Sequence, residues 1–146
     1  MPAEALQARA RLLGYAGLIP FVAAAGALLV GPPAVEALAL RSLLAYGAVI
    51  LSFMGAVHWG LAMTASRDDA VAQLSLSVLP GLLGWVALLL PAVPACLLLL
   101  VGFAGLYVFD LRAAPRGAVP DWYPALRLPL TTGVVLCLAV ALWQLA

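Results

Sequence analysis

The stretch LLAYGAVILSFMGAVHWGLAMT, Leu43 to Thr64, decides the class of fold. Its only ionisable side chains are a tyrosine and the one histidine of the chain, His58. At 1.5 Å of rise per residue the stretch is long enough to cross a hydrocarbon core about 30 Å thick. It therefore predicts a transmembrane helix with a histidine inside it.

The composition of the whole chain supports the same class. Of its 146 residues, 66% are hydrophobic and 9% are charged, whereas a soluble domain has roughly 25% charged residues. The length suits one domain, residues 1–146, which is predicted to be polytopic. The net charge of +1 comes with seven scattered arginines and no lysine, so the sequence gives no sign of nucleic-acid binding.

Five apolar segments are separated by short breaker or polar runs, which predicts an all-α membrane protein, a compact bundle of five transmembrane helices. Gly31-Pro32-Pro33, the polar run SRDD, the pair of prolines in PAVP and the loop AAPRGAVPDWYP mark the connections. The predicted spans are residues 12–30, 43–64, 70–90, 95–111 and 126–146.

The arginines give these spans a direction. Basic residues in short loops stay on the cytoplasmic side of a membrane. With the N-terminus inside, only Arg41 lies outside. The chain is therefore predicted to start in the cytoplasm and to end outside, in the periplasm if the host is a bacterium.

A helical projection of the second span separates a small-residue face from a lipid face. The small residues form a predicted packing ridge that lets another helix approach closely. The ridge consists of Ala48, Ser52, Ala56 and Gly60, with Gly55 beside it. Trp59 projects on the ridge side and His58 on the flank, so the histidine is expected beside a neighbouring helix.

Polar groups of other spans gather at the depth of His58. Asp110 ends the fourth span, Arg127 opens the fifth, and Tyr107 lies one turn before Asp110. A carboxylate and a guanidinium near hydrocarbon lower each other's desolvation cost, so Asp110 and Arg127 are expected to pair. Together with His58 and Trp59 these are candidates for ligand binding or proton handling. The plain alternatives are a solvated helix end for Asp110, a snorkelling Arg127, and for His58 a neutral core histidine bonded to a backbone carbonyl or a serine.

Three blocks carry a family resemblance: LGYAGLIPF from Leu13, FMGAVHWGLA from Phe53 and WYPALRLPLT from Trp122. They resemble a family of bacterial and mitochondrial membrane proteins, the domain of unknown function 3429, which includes transmembrane protein 69. The Gly-x-x-His-Trp-Gly block is the most specific of these. The resemblance implies a small multi-pass protein of an energy-coupling membrane, here the bacterial inner membrane, without an established activity.

Two functions remain open at this point. The first is a non-enzymatic accessory or assembly factor of a membrane complex, which contacts the lipid bilayer and a membrane-protein partner or a second copy of itself. The second is a binding or transport protein with an inward-facing polar pocket for a quinone, a lipid or an anion. No enzyme is predicted, because no nucleophile lies beside a base, and no metal or cofactor motif is present in the sequence.

Overall fold

Seven α-helices make up almost the whole fold, which was analysed as a computed structural model that describes residues 2–146. No β-strand occurs within those residues. The helices are α1 (Pro2–Ala16), α2 (Ile19–Val30), α3 (Pro33–Met63), α4 (Ala70–Leu76), α5 (Leu79–Leu89), α6 (Ala92–Ala113) and α7 (Tyr123–Leu145), with a 3-10 turn at Ala114–Arg116 before the last.

These helices form five segments long and apolar enough to cross a membrane, which confirms the predicted fold class. α1 and α2 together make the first segment, and α4 and α5 make the third. The second begins at Pro33 rather than at Leu43, since a proline suits the first turn of a helix and Glu36 is favourable there. At 1.5 Å per residue, α3 is longer than the hydrocarbon core is thick, so its ends reach the headgroup region.

Proline interrupts the first and third segments in the same way. Pro20 and Pro80 each follow a two-residue turn, at residues 17–18 and 77–78. A proline has no N–H to donate, so the helical ladder is broken one turn earlier. At the first break the Tyr46 hydroxyl donates to the Gly17 carbonyl over 2.9 Å, which supplies that group with a partner from α3.

α3 lies at the centre of the bundle and packs against α2, α4, α5, α6 and α7. The core around it is apolar, and its largest fully buried side chains include Phe21, Phe103, Leu43, Leu51 and Leu99. We call the end of the bundle that holds the start of α1 and the α3–α4 and α6–α7 connections the proximal end. A second small cluster, with Val119 and Tyr123, closes the core there.

The predicted packing ridge on α3 is divided between two environments. Ala48 and Gly55 are buried, Ser52 is half-buried, and Ala56 and Gly60 are exposed. A Cβ on Gly55 would lie 2.8 Å from Pro80 Cγ and 2.9 Å from the Ser77 carbonyl oxygen, so α3 approaches the third segment closely at its break. A helical projection gives the angles between residues of one helix but does not show on which side the neighbouring helices lie. The projection therefore could not show that Ala56 and Gly60 have no helix of residues 2–146 packed against them.

We predict that Gly55→Ala destabilises the protein, because the added methyl group meets a rigid proline ring and a backbone oxygen. Overpacking of this kind costs about 1–3 kcal/mol, which corresponds to a drop of several degrees in the melting temperature in detergent.

Gly60→Ala is the matched control on the same helix, because nothing lies within 4 Å of a Cβ added there. Replacing a glycine in a helix by alanine favours the helix by about 0.5–1 kcal/mol, so this variant should melt at an equal or higher temperature. Equal melting temperatures for Gly55→Ala and wild type would contradict the close approach of the two segments.

Candidate functional site

A buried carboxylate joins three of the five segments at the proximal end. Asp110 Oδ1 lies 2.6 Å from His58 Nε2, and Asp110 Oδ2 accepts a hydrogen bond from Arg127 Nε over 2.8 Å. The three residues are between 0% and 2% exposed. The ion pair expected between Asp110 and Arg127 is therefore present, and His58 completes it as a triad.

The helix order explains why three distant residues meet. His58 lies in the last two turns of α3, Asp110 in the last turn of α6, and Arg127 in the second turn of α7. α6 runs towards the proximal end and α7 runs away from it, so their facing ends bring the carboxylate and the guanidinium together. α3 packs against both helices and adds the imidazole from the side.

Gln73 on α4 is a fourth member of the cluster that sequence analysis did not select. It is buried, and its Nε2 lies 3.1 Å from His58 Nδ1 and 3.0 Å from the Ala118 carbonyl oxygen. Its Oε1 accepts a hydrogen bond from Arg67. The sequence signal that could have identified Gln73 was its amide, a polar side chain inside a predicted apolar span.

The cluster continues to the surface of the proximal end. Asp69 accepts from Arg67 Nε over 2.8 Å and pairs with Arg116 Nε at 3.2 Å, and these side chains are partly exposed. The ring of Phe109 covers His58, with 4.6 Å between the ring centroids. A continuous set of polar contacts therefore runs from the exposed Arg116 to the buried Arg127.

An apolar cavity of about 450 Å³ lies beside the cluster. Its wall comes from α1, α2, α3, α6 and α7, with Phe53, Met54, Trp122 and Leu126 among the lining residues. Of the described residues that line it, Arg127 alone carries a charge. α1 has no buried residue, so the cavity is enclosed less tightly on that side than on the others.

Arg127 keeps an unused donor. Nη2 is buried and has no hydrogen-bond partner in the described structure, and the same holds for the Thr131 hydroxyl one turn along α7. Buried polar atoms are nearly always partnered, and leaving one unpaired costs about 1–3 kcal/mol. An orphan N–H on a side chain that also forms part of a cavity wall points to a ligand that supplies the acceptor.

Two of the sequence candidates lie outside this site. Trp59 is 44% exposed and lies on the outer surface of α3. Tyr107 is half-buried, and no hydrogen bond from its hydroxyl to Asp110 or His58 is found among the described residues. Trp122 and Tyr123 line the cavity. Among residues 2–146 no group of His, Cys, Asp and Glu is placed to hold a metal ion.

Fold and site together define a class: a five-segment α-helical membrane protein with a buried His-Asp-Arg triad beside an apolar cavity. The model of the protein family of unknown function DUF3429 matches residues 6–143. The chain belongs to this family, as its motifs predicted.

Two curated relatives carry the name transmembrane protein 69. The one from Xenopus tropicalis is 37% identical over 134 residues, which are 89% of this chain and 52% of the relative. The one from Mus musculus is 30% identical over 132 residues, 87% of this chain and 52% of the relative. The chain thus spans about half the length of these relatives. No solved structure matches it.

We predict that removing one member of the triad harms the protein more than removing all three. Asp110→Ala leaves the buried Arg127 uncompensated, and breaking a buried pair in this way costs about 3–5 kcal/mol. The triple variant His58→Leu, Asp110→Leu, Arg127→Met leaves no unpaired charge and keeps the side-chain volumes similar. We therefore expect Asp110→Ala to give little monodisperse protein in mild detergent and the triple variant to give clearly more.

The matched control is Asp121→Ala, which removes an exposed carboxylate at the same end of the bundle. Its yield should equal that of the wild type. A yield of Asp110→Ala as high as that of Asp121→Ala would contradict the burial of the charge pair.

Proposed function

We propose that this protein is a non-enzymatic membrane protein that binds a lipid-soluble small molecule in the cavity, with a hydrogen-bond acceptor of the ligand on Arg127. One observation carries the proposal: Arg127 lines the cavity while its buried Nη2 has no partner. We further propose that the proximal end faces the cytoplasm of a bacterial inner membrane, because six of the seven arginines lie there.

The size and lining of the cavity support an amphiphile. Sites for small molecules measure about 300–1,000 Å³, are mostly apolar and have a few placed polar groups. A cavity of about 450 Å³ with one charged residue fits the head and first tail segment of a quinone or a lipid. A small inorganic anion would need several polar partners, and the lining offers few.

A second candidate function, an accessory or assembly factor, has its own support. Ala56 and Gly60 form the exposed half of the small-residue ridge on α3, beside the exposed Trp59. Small residues on an outer helix face let the backbone of a partner helix approach closely. Binding of a ligand and attachment to a membrane complex are compatible, since different residues of α3 line the cavity and form this face.

Fluorescence of Trp122 at the cavity wall tests the ligand proposal. In a background with Trp59, Trp85 and Trp143 changed to Phe, all three of them exposed, the signal comes from Trp122 alone. Decylubiquinone, a quinone that quenches tryptophan, should quench this signal saturably. Ala10→Phe narrows the cavity from α1 without touching the core. We expect it to raise the decylubiquinone concentration needed for half-quenching about tenfold or more, which corresponds to the loss of one good apolar contact.

Ala8→Phe is the control, since Ala8 is exposed on the same helix and does not line the cavity. In Ala8→Phe, decylubiquinone should quench Trp122 at the same concentrations as in the parent protein. Linear, unsaturable quenching that is the same in both variants would count against a binding cavity and leave the accessory role as the better proposal.

A further inference from the structure

We infer that the head of the ligand is an uncharged carbonyl group and that Gln73 sets this preference, because it fixes the charge of the triad. The inference rests on the proposed function and names the ligand class for the same site. It follows from five hydrogen bonds whose donors and acceptors are decided by chemistry.

The orientation of the Gln73 side chain is fixed at both ends. An arginine only donates, so the amide atom that contacts Arg67 must be the oxygen. A backbone carbonyl only accepts, so the atom 3.0 Å from the Ala118 oxygen must be the nitrogen. A flipped amide would place two donors together at one end and two acceptors together at the other. Gln73 Nε2 therefore faces His58.

This orientation fixes the proton on His58. The amide nitrogen has two hydrogens, one for Ala118 and one for His58 Nδ1 at 3.1 Å. Nδ1 must then accept, and the imidazole carries its single proton on Nε2, which donates to Asp110 Oδ1. A doubly protonated ring would bring the Nδ1 proton against the amide hydrogens. The arrangement thus selects one neutral tautomer.

The charge of the triad follows directly. Asp110 accepts from His58 on one oxygen and from the guanidinium of Arg127 on the other. A carboxylate is the form that accepts on both oxygens, and the positive charge of Arg127 favours that form. Its charge of −1 cancels the +1 of Arg127, and the neutral His58 adds nothing. What Arg127 offers at the cavity is therefore a donor within a charge-balanced group.

A donor that belongs to a charge-balanced group favours an uncharged acceptor on the ligand. A carboxylate or phosphate head would bring a net negative charge into an apolar cavity whose positive charge is already compensated by Asp110, and an uncompensated buried charge is expensive. A quinone or ester carbonyl accepts the Nη2 proton without adding charge. Nη2 is covered in the structure, so the inference requires a neighbouring side chain to shift before the acceptor can reach it.

A matched pair of probes tests the ligand class on the wild-type cavity. 9,10-Dibromostearic acid and its methyl ester have the same apolar body and the same quenching bromines, and at pH 8 they differ by one negative charge. In the background where Trp122 is the only tryptophan, we expect the ester to reach half-quenching at a concentration at least about tenfold lower than the carboxylate.

The outcomes separate the two proposals. Equal or tighter binding of the carboxylate overturns the inference and leaves the binding function intact. Saturable quenching by neither probe, with Ala10→Phe equal to Ala8→Phe, removes the proposed function as well. Recovery of the ester-quenched fluorescence by a short-chain diacylglycerol then indicates a lipid carbonyl, and saturable quenching by decylubiquinone itself indicates a quinone carbonyl. The absence of both responses contradicts the inference.

The role of Gln73 has an independent readout, because His58 is the single histidine of the chain. Nitrogen NMR of protein labelled with ¹⁵N-histidine shows one imidazole, and we expect a proton on Nε2 and none on Nδ1. In Gln73→Glu the new carboxylate accepts from Nδ1, so that nitrogen should become protonated. Gln7→Glu, the same change on α1, should leave the spectrum unaltered. A wild-type spectrum with a protonated Nδ1 would overturn the inference without any variant.

Discussion

The buried carboxylate of Asp110 is the constraint on which the proximal end of the bundle depends. A charge at that depth is tolerated only with a partner of opposite charge and further hydrogen bonds. Arg127 and His58 supply these from two other segments, so the one carboxylate fixes the rotation of α3, α6 and α7 about their axes. Apolar packing between these helices is less selective, because many rotations bury similar surfaces.

The break in the third segment gives the cluster its fourth member. Pro80 and the Ser77 carbonyl lie against Gly55, where only a glycine leaves enough room. This close approach holds α4 beside the end of α3 and brings the Gln73 amide to the imidazole. A local backbone feature, proline after a two-residue turn, is therefore linked to the hydrogen bonding of a side chain on another helix.

The polar cluster and the apolar cavity contribute different properties to the site. The triad is charge-balanced but leaves the buried Nη2 of Arg127 without a partner, and Arg127 also lines the apolar cavity. This combination suits recognition of a molecule dissolved in the bilayer, for which burial gives affinity and one hydrogen bond gives orientation. The family match covers residues 6–143, so it includes all of these parts.

The sequence by itself determined the number of segments and the depth of their polar residues. Both follow from the length of apolar runs and from counting along them, which are local properties, so His58, Asp110 and Arg127 could be placed at one end and two of them paired. Only the tertiary structure decided that Gln73 joins them, that Trp59 and Tyr107 do not, and that Gly60 is exposed. Those outcomes depend on the rotation of each helix and on the close approach at Gly55, which arise from contacts between distant parts of the chain.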